Sequence, residues 1–335
     1  MRSEIPLPFP IPTPSGLMYN VSSFALFLVL AFLLGAILIP RELRRRGLNS
    51  TVSDWVIVLA VLGTLIGAKI GYVFEIWNRI WIVTDSYSDT LYHLIMFQNG
   101  MGQKVDDAVG LWQAFLSQGG LVFYGGLLFS IGLIYIFLKL KKLPVWRYAD
   151  VFFMMLTLGY GVGRLGCMVS GDGCYGYSSN IDWPVLTMVF GPASIMPTDG
   201  VRVWNTSLIE AVLSWLLFGW IMLVGRYRAY RPGFFGALFL IYDGLVRFLV
   251  EFLRINDAVI PILPHPQIAG VPLLHHNSWL ANPEAYYFEN WHWYGFTQSQ
   301  IVGFIFVIVG FTLILIKGLY KQDDLDFVAF KEVQD

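Results

Sequence analysis

Charged residues are scarce in this sequence. Only 13% of the 335 residues are charged, whereas an ordinary soluble domain has about 25%. A soluble globule of this size therefore cannot be covered with charged side chains. Basic residues occur only in short clusters, which argues against a nucleic-acid partner. Hydrophobic residues make up 56% of the chain, and this excludes intrinsic disorder.

Cysteine is also rare. The two cysteines, Cys167 and Cys174, are too few for a disulfide scaffold or a cysteine zinc site. They could form one disulfide or remain two small thiols. The five histidines lie in long loops without an HxxxH or HExxH spacing, so the sequence predicts no metal site.

Long hydrophobic stretches dominate instead. A helix needs about 20 apolar residues to cross a bilayer, and seven stretches qualify. The first is followed by four arginines and not by a cleavage site, so it is read as a retained span. The sequence predicts an all-α integral membrane protein, a single polytopic domain over residues 1–335. The predicted spans are residues 21–40, 54–75, 120–139, 151–170, 206–224, 234–253 and 300–320.

The loops predict the orientation. Short loops rich in Lys and Arg stay cytoplasmic, and such loops follow predicted spans one, three, five and seven. The long loops 76–119, 171–205 and 254–299 are poor in basic residues, so they are predicted to lie outside. The N-terminus is therefore predicted outside and the tail 321–335 inside. Segment 254–299 is read as an outer loop or cap, and the Pro-rich segment 5–14 as extended or interfacial.

Several predicted spans contain charged residues, which cost about 2.5–3.5 kcal/mol near the bilayer centre on insertion scales. In the sixth span, Asp243, Arg247 and Glu251 stand four residues apart and Arg254 follows three later. This spacing places them on one helical face. That face must meet the interior of the bundle, where ion pairs within it would lower the cost.

Cations from three spans are predicted at a similar depth. Lys69, Arg164 and Arg247 all fall in or near the outer half of their spans at 1.5 Å per residue. Glu210 and Gln300 enter the same layer. An ion-pair network that fixes helix packing is one interpretation. The favoured one is an anion site in the outer leaflet, for a phospholipid phosphate or a transported anion.

Glycine is dense in three places. Gly63, Gly67 and Gly71 form a small-residue ridge that is typical of close helix packing. The stretches 119–126 and 159–176 are also rich in glycine. Glycine weakens a helix and lets backbone approach a ligand. Because Arg164 lies inside the second stretch, this pattern favours the anion site.

Several of these motifs resemble the prolipoprotein diacylglyceryl transferase family of bacterial plasma membranes. The segment Gly163-Arg-Leu-Gly-Cys-Met-Val-Ser-Gly171 is similar to the family signature G-R-[IL]-G-N-F-x-N-G. The segment Arg231-Pro-Gly-Phe-Phe-Gly236, continued at 247–254, is similar to P-G … R-F-x-x-E-F-x-R. Residues 119–126 resemble G-G-[ML]-x-F-[HY]-G-G, and Gly67-Ala-Lys69 resembles G-A-R. The likeness runs from about residue 63 to residue 315, and the family has seven spans with the N-terminus outside.

The sequence departs from the family pattern at several motif positions. Cys167 and Ser170 stand where the signature has Asn, and Asp172 stands where Glu is usual. Tyr124 occupies a position that is His in many members. These departures indicate a divergent member and leave the identity of the general base open.

The resemblance implies a reaction and its substrates. The thiol of a prolipoprotein lipobox cysteine attacks the glyceryl carbon of phosphatidylglycerol, which forms a thioether and releases glycerol 1-phosphate. Phosphatidylglycerol, lipobox peptides and membrane lipid are the implied partners, and the scheme needs no metal or organic cofactor. The implied location is the bacterial inner membrane, as a multi-pass protein with its active site toward the outer leaflet. The alternative is a transporter or flippase of an anionic lipid or solute that uses the same buried cations.

The candidate site residues follow from the charges and the motifs together. Positive charge is needed on the phosphate leaving group, and arginine supplies it best. The candidate catalytic residues are Arg164, Arg247, Tyr124 and Glu251. The candidate phosphatidylglycerol-binding residues are Arg164, Arg247, Arg254, Lys69, Gly125, Gly126, Ser170, Asp172 and Glu210.

Overall fold

The structure is a computed structural model of the full chain. It describes residues 4–13, 16–75, 115, 123–228, 230–254, 258–261 and 295–321. The chain divides into two compact units. One contains residues 1–48 and 146–335, and the other contains residues 49–145.

Helices make up most of the described residues, and each lies within a few residues of a predicted span. They are α1 Ser23–Arg45, α2 Val52–Glu75, α3 Phe123–Leu140, α4 Val145–Ser170, α5 Thr206–Leu223, α6 Phe234–Val250 and α7 Gln298–Lys317. Among the described residues, α1, α2, α4, α5 and α7 are long and apolar enough to cross a membrane. The chain is therefore a multi-pass membrane protein. Seven spans and the side on which each terminus lies remain predictions.

Short antiparallel sheets accompany the helices. Strands β1 Glu4–Thr13 and β2 Gly16–Ser22 form a hairpin, so the Pro-rich opening is extended, as predicted. Strand β3 Thr187–Met188 pairs with β4 Val203–Trp204, and β5 Ala258–Pro261 pairs with β6 Gly295–Thr297. The fold is mostly helical, as predicted. The three short sheets, which lie next to helix ends, were not part of the all-α prediction.

Contacts in the larger unit show how its helices alternate. Glu42, near the end of α1, accepts a 2.5 Å hydrogen bond from Arg45 and pairs at 3.8 Å with Arg226, which follows α5. The Lys317 ammonium, at the end of α7, lies 4.2 Å from the ring centroid of Trp146 near the start of α4. Thus α1 and α5 end together, and α7 ends where α4 begins. The predicted alternation of inner and outer loops requires both arrangements.

Close packing of α6 on α7 brings the charged face of α6 into the unit. A Cβ on Gly303 would lie 2.7 Å from the Gly244 backbone oxygen, and one on Gly310 would lie 2.8 Å from the Ala237 oxygen. Only glycine permits such an approach. The charged residue Arg247, one turn beyond Gly244, is therefore held against α7, where a Cβ on Gly303 would lie 3.5 Å from the Arg247 Cβ.

In the smaller unit, α2 and α3 form an antiparallel pair. A Cβ on Gly63 would lie 2.6 Å from the Ser130 Cα, and one on Gly125 would lie 3.0 Å from the Gly71 Cα. Gly126 packs equally closely on Thr64. The predicted close packing through the glycine ridge of α2 is confirmed.

Candidate active site

A fully buried carboxylate, Glu210, is the centre of the candidate site. Asn205 caps α5 by accepting a hydrogen bond from the Leu208 backbone N–H, which fixes the start of the helix one turn before Glu210. The Glu210 carboxylate accepts a 2.5 Å hydrogen bond from Arg164 Nη2 on α4. It also accepts a hydrogen bond from the Tyr160 hydroxyl.

Two further guanidinium groups face the same carboxylate. Arg247 Nη1 lies 3.9 Å from a Glu210 oxygen, and Arg254 Nη1 lies 4.0 Å from the other. Arg247 comes from α6, and Arg254 follows the 3-10 turn Glu251–Leu253. Three arginines from separate places in the sequence thus surround one carboxylate. Arg164 and Arg247, two of the three cations that the sequence predicts at a similar depth, are thus brought to the same carboxylate.

Tyr160 is a site residue that the sequence analysis did not single out. It lies one helical turn before Arg164, so both side chains reach Glu210 from the same face of α4. The guanidinium of Arg247 lies 5.7 Å from the centroid of its ring, a cation–π contact. A tyrosine at i−4 from a buried arginine was the available signal, although such pairs are common in helix interiors.

The segment after α4, residues 171–205 (the predicted outer segment), holds Arg254 in place. The Tyr177 N–H donates a 2.9 Å hydrogen bond to the Leu253 carbonyl, and Gly176 pairs with Arg254 as an antiparallel bridge. The hydroxyls of Thr206 and Ser207 donate to the Cys174 carbonyl at 2.7 and 3.0 Å. Residues 174–177 are thereby bound both to the start of α5 and to the end of α6.

Glu251 is tied to the start of α7. Its carboxylate accepts a 2.9 Å hydrogen bond from the Thr297 hydroxyl. Thr297 caps α7 and exchanges hydrogen bonds with Gln300 in a capping box. The predicted charged face of α6 therefore interacts with two neighbours, through Arg247 with Glu210 on α5 and through Glu251 with Thr297.

A second polar group lies at the end of α4. Both cysteines are free thiols, and the guanidinium Nη1 of Arg164 donates to the Cys167 sulfur at 3.8 Å. Asp172 accepts a 3.1 Å hydrogen bond from the Cys174 backbone N–H. The pKa of the Cys174 thiol, which lies outside the helices, is lowered by a hydrogen bond from the Cys167 thiol and by the positive charge of Arg164. Ser170 donates to the Cys167 carbonyl at 3.1 Å.

Asp150 on α4 binds the N-terminus of α6. Its carboxylate oxygens accept hydrogen bonds from the backbone N–H groups of Gly233 at 2.8 Å and Gly236 at 3.1 Å. A carboxylate at this position satisfies N–H groups that no helical carbonyl can reach. This contact anchors on α4 the helix that carries Arg247.

Other predicted site residues are not brought to Glu210 by the described contacts. Lys69, Gly125 and Gly126 belong to the smaller unit, where the Lys69 ammonium lies 5.8 Å from the Tyr72 ring centroid. Tyr124 lies in α3, and its side chain is outside the described residues, as are all five histidines. Roles for these residues in binding remain predictions.

Two buried side-chain donors, one on α4 and one on α7, have no acceptor among the described residues. Arg164 Nε and Gln300 Nε2 make no hydrogen bond within the described ranges. Buried polar atoms in proteins are nearly always satisfied. An anionic or carbonyl-bearing ligand would supply acceptors to such donors.

Known proteins resemble this chain over almost its whole length. Residues 15–316 match the sequence profile of the family described as prolipoprotein diacylglyceryl transferase. Two proteins from Leptospira interrogans, each named phosphatidylglycerol–prolipoprotein diacylglyceryl transferase, are 38% identical over 328 residues, which cover 97% of this chain and 99% of theirs. A protein of the same name from Geobacter sulfurreducens is 30% identical over 74% of this chain and 83% of its own.

Proposed function

The chain belongs to the prolipoprotein diacylglyceryl transferase family, and we propose that it transfers the diacylglyceryl group of phosphatidylglycerol to the lipobox cysteine of prolipoproteins. The sulfur attacks the glyceryl carbon that carries the phosphate ester. The C–O bond to the phosphate breaks, and glycerol 1-phosphate leaves with the electron pair. The product is a thioether-linked diacylglyceryl protein.

The convergence of Arg164, Arg247 and Arg254 on Glu210 is the observation that supports this reaction. Negative charge grows on the phosphate oxygen as the C–O bond breaks. Preorganised guanidinium groups stabilise such charge strongly in a site that excludes water. Arginine also pairs with two phosphate oxygens at once.

We assign the phosphate clamp to Arg164 and Arg247, with Arg254 assisting. Glu210 positions the clamp because it contacts all three arginines. Arg164 Nε makes no hydrogen bond in the described part of the chain, so a lipid phosphate could accept one there. Ser170 and Asp172 are proposed to complete the lipid site.

The attacking thiol must lose its proton. Glu251 and Tyr124 are the candidate groups for this step. Glu251 is fully buried and hydrogen-bonded to Thr297, which suits a fixed acceptor. A tyrosine phenol is a weak base at neutral pH, so Tyr124 is proposed to orient the substrate.

The proposed location is the bacterial inner membrane, with seven spans, the N-terminus outside and the site toward the outer leaflet. This location agrees with the basic residues around Glu42, at the end of the larger unit away from Glu210. The family match does not favour the alternative of a transporter or flippase.

The test uses the purified full chain in detergent with phosphatidylglycerol and a short lipobox peptide. Mass spectrometry should show the peptide with one diacylglyceryl group, and glycerol 1-phosphate should appear in equal amount. Arg164→Ala should abolish both products. Arg202→Ala is the matched control, since Arg202 pairs with the exposed Asp182 on the outer segment.

Either of two results would contradict the proposal. One is the absence of adduct while an established family enzyme is active in the same mixture. The other is an adduct that forms equally well in Arg164→Ala and Arg202→Ala.

A further inference from the structure

Two thiols and one carboxylate meet where α4 ends. The sulfurs of Cys167 and Cys174 and a carboxylate oxygen of Asp172 all lie within 4.8 Å of one another. We propose that these three residues form a Zn²⁺ site whose fourth position binds the cysteine thiolate of the substrate. The proposal rests on the proposed transferase function for its substrate, but the metal site itself can be tested without it.

The ligand set fits a reactive zinc site. Zinc is bound tetrahedrally by thiolate, imidazole and carboxylate, and sites that act on substrates use three protein ligands with one open position. Ligand atoms of a tetrahedral site with Zn–S near 2.3 Å and Zn–O near 2.1 Å stand about 3.5–3.8 Å apart. The two sulfurs and the carboxylate oxygen would therefore have to approach one another by roughly 1 Å to reach this geometry.

The backbone holds the three residues together. Gly171 and Gly173 have φ of 60° and 87°, left-handed values that turn the chain back over the last turn of α4. The Asp172 side chain accepts the Cys174 N–H, which fixes the turn. The carbonyl of Gly171 accepts a 2.8 Å hydrogen bond from the Met196 N–H, so the turn is also held by the outer segment.

The surrounding charge suits an anionic metal complex. Two thiolates and one carboxylate with Zn²⁺ carry a net charge of about −1. Arg164 lies 3.8 Å from the Cys167 sulfur and can neutralise that charge. Donors outside the ligand shell commonly orient and tune metal ligands in this way.

The site would supply the nucleophile beside the phosphate clamp. A thiol that binds Zn²⁺ gives up its proton. Here the proton passes to solvent, so that a protein base such as Glu251 is not needed for this step. The bound sulfur then attacks the glyceryl carbon, the C–O bond breaks, and its electron pair leaves on glycerol 1-phosphate. The resulting thioether is neutral and binds zinc weakly, so the product dissociates. Arg164 contacts both Cys167 and Glu210, which places thiolate and phosphate at neighbouring positions.

The first experiment measures metal binding without catalysis. The purified chain is stripped with a chelator under reducing conditions and titrated with Co²⁺, whose thiolate complexes absorb in the near ultraviolet. One Co²⁺ per chain is expected, displaced by Zn²⁺, and the cobalt spectrum should change when a lipobox peptide is added but not when its Cys→Ser version is added. Cys174→Ser and Asp172→Asn should each weaken binding about 10-fold or more. Asp199→Asn, on the same segment, is the matched control.

The second experiment measures transfer with and without metal. Chelation should reduce adduct formation at least about 10-fold, and Zn²⁺ should restore it. The absence of a thiolate–cobalt band in a folded, reduced chain would overturn the metal site. A disulfide between Cys167 and Cys174 in protein that is active as isolated would also overturn the metal site. Full transfer after chelation would do the same. In either of these two cases the proposed transferase function would stand. Stoichiometric metal without transfer in any state would instead refute the proposed function and the role of the metal in it.

Discussion

Arg164 on α4 donates a 2.5 Å hydrogen bond to Glu210 on α5, and both side chains are buried in segments long enough to span a membrane. A buried charge is strongly unfavourable alone, and removal of either partner leaves the other uncompensated. The pair therefore fixes the guanidinium plane before any ligand binds. Arg164 Nε makes no hydrogen bond to the described residues, so this donor remains for a substrate.

Arg164→Lys tests whether the planar guanidinium matters beyond its charge. Lysine keeps one positive charge but cannot pair with two phosphate oxygens in a fixed plane. Loss of one charged hydrogen bond of about 1.5–3 kcal/mol predicts a roughly 10- to 150-fold slower transfer. The measurement is the initial rate of adduct formation. Arg202→Lys, on segment 171–205, should transfer at the wild-type rate. An undiminished rate in Arg164→Lys would show that charge alone suffices.

Arg247→Ala and Tyr124→Phe compare the importance of two candidate catalytic residues. Arg247 belongs to the proposed phosphate clamp, and Tyr124 is the residue proposed to orient the substrate. Arg247 pairs with Glu210 and contacts the Tyr160 ring, so its removal should abolish transfer. Tyr124→Phe should only slow transfer, because a phenol is a weak base at neutral pH. Product formed per minute is compared for the two variants. Equal losses would contradict this ranking.

Asp150→Asn tests whether the hydrogen bonds between Asp150 and the N-terminus of α6 stabilise the fold. An amide in place of the carboxylate directs an NH₂ group at one of the two backbone donors, Gly233 or Gly236. An unsatisfied buried donor costs about 1–3 kcal/mol, so the thermal unfolding midpoint in detergent should fall. Asp182→Asn provides the control, since the Asp182 side chain is 76% exposed. Equal midpoints in the two variants would mean that the Asp150 contacts are not stabilising.

The positions of the helices could be predicted from hydrophobic length alone. Each predicted span overlaps a helix, because burial in lipid demands about 20 apolar residues whatever their packing. The ends were less predictable. Helix α4 begins at Val145, six residues before its predicted span, because polar residues such as Arg147 continue a helix beyond the apolar stretch. Short sheets such as β3 with β4 depend on contacts between distant segments, which hydropathy does not record.

The charged residues of the candidate site could be predicted, because a charged side chain in a membrane span is energetically unfavourable. Arg164 and Arg247 stood out because charged residues are rare in apolar spans. The partner of Arg247 was less clear. Spacing favoured ion pairs along α6, whereas the structure pairs Arg247 with Glu210 on α5. Tyr160 could not be distinguished from an ordinary core tyrosine, since its role depends on how α4 faces α5.

Gly303→Ala tests whether close packing of α6 on α7 positions the arginines. The added Cβ would lie 2.7 Å from the Gly244 oxygen, so the two backbones must separate. Such overpacking typically costs about 1–3 kcal/mol, and the shift of α6 should also slow transfer. Gly219→Ala is the control, because a Cβ there meets no atom within 4 Å. A Gly303→Ala protein as stable and active as Gly219→Ala would show that the contact is dispensable.

The larger unit contains a control for the proposed role of the arginines around Glu210. Glu42 is a second buried carboxylate surrounded by three arginines, Arg45, Arg46 and Arg226. The two clusters lie toward opposite ends of α5, roughly 20 Å apart along the helix. Replacing either glutamate with glutamine removes one negative charge from a similar cationic setting.

The decisive measurement is therefore the initial rate of diacylglyceryl transfer, per folded molecule, for Glu210→Gln beside Glu42→Gln. Both variants should unfold at lower temperature than the wild type, because each leaves arginines that are buried or only partly exposed without their carboxylate partner. We expect Glu210→Gln to lose at least about 100-fold in rate, equivalent to some 2.7 kcal/mol, and Glu42→Gln to retain the wild-type rate. Equal rates in the two variants would contradict the assignment of the active site to Glu210 and its arginines.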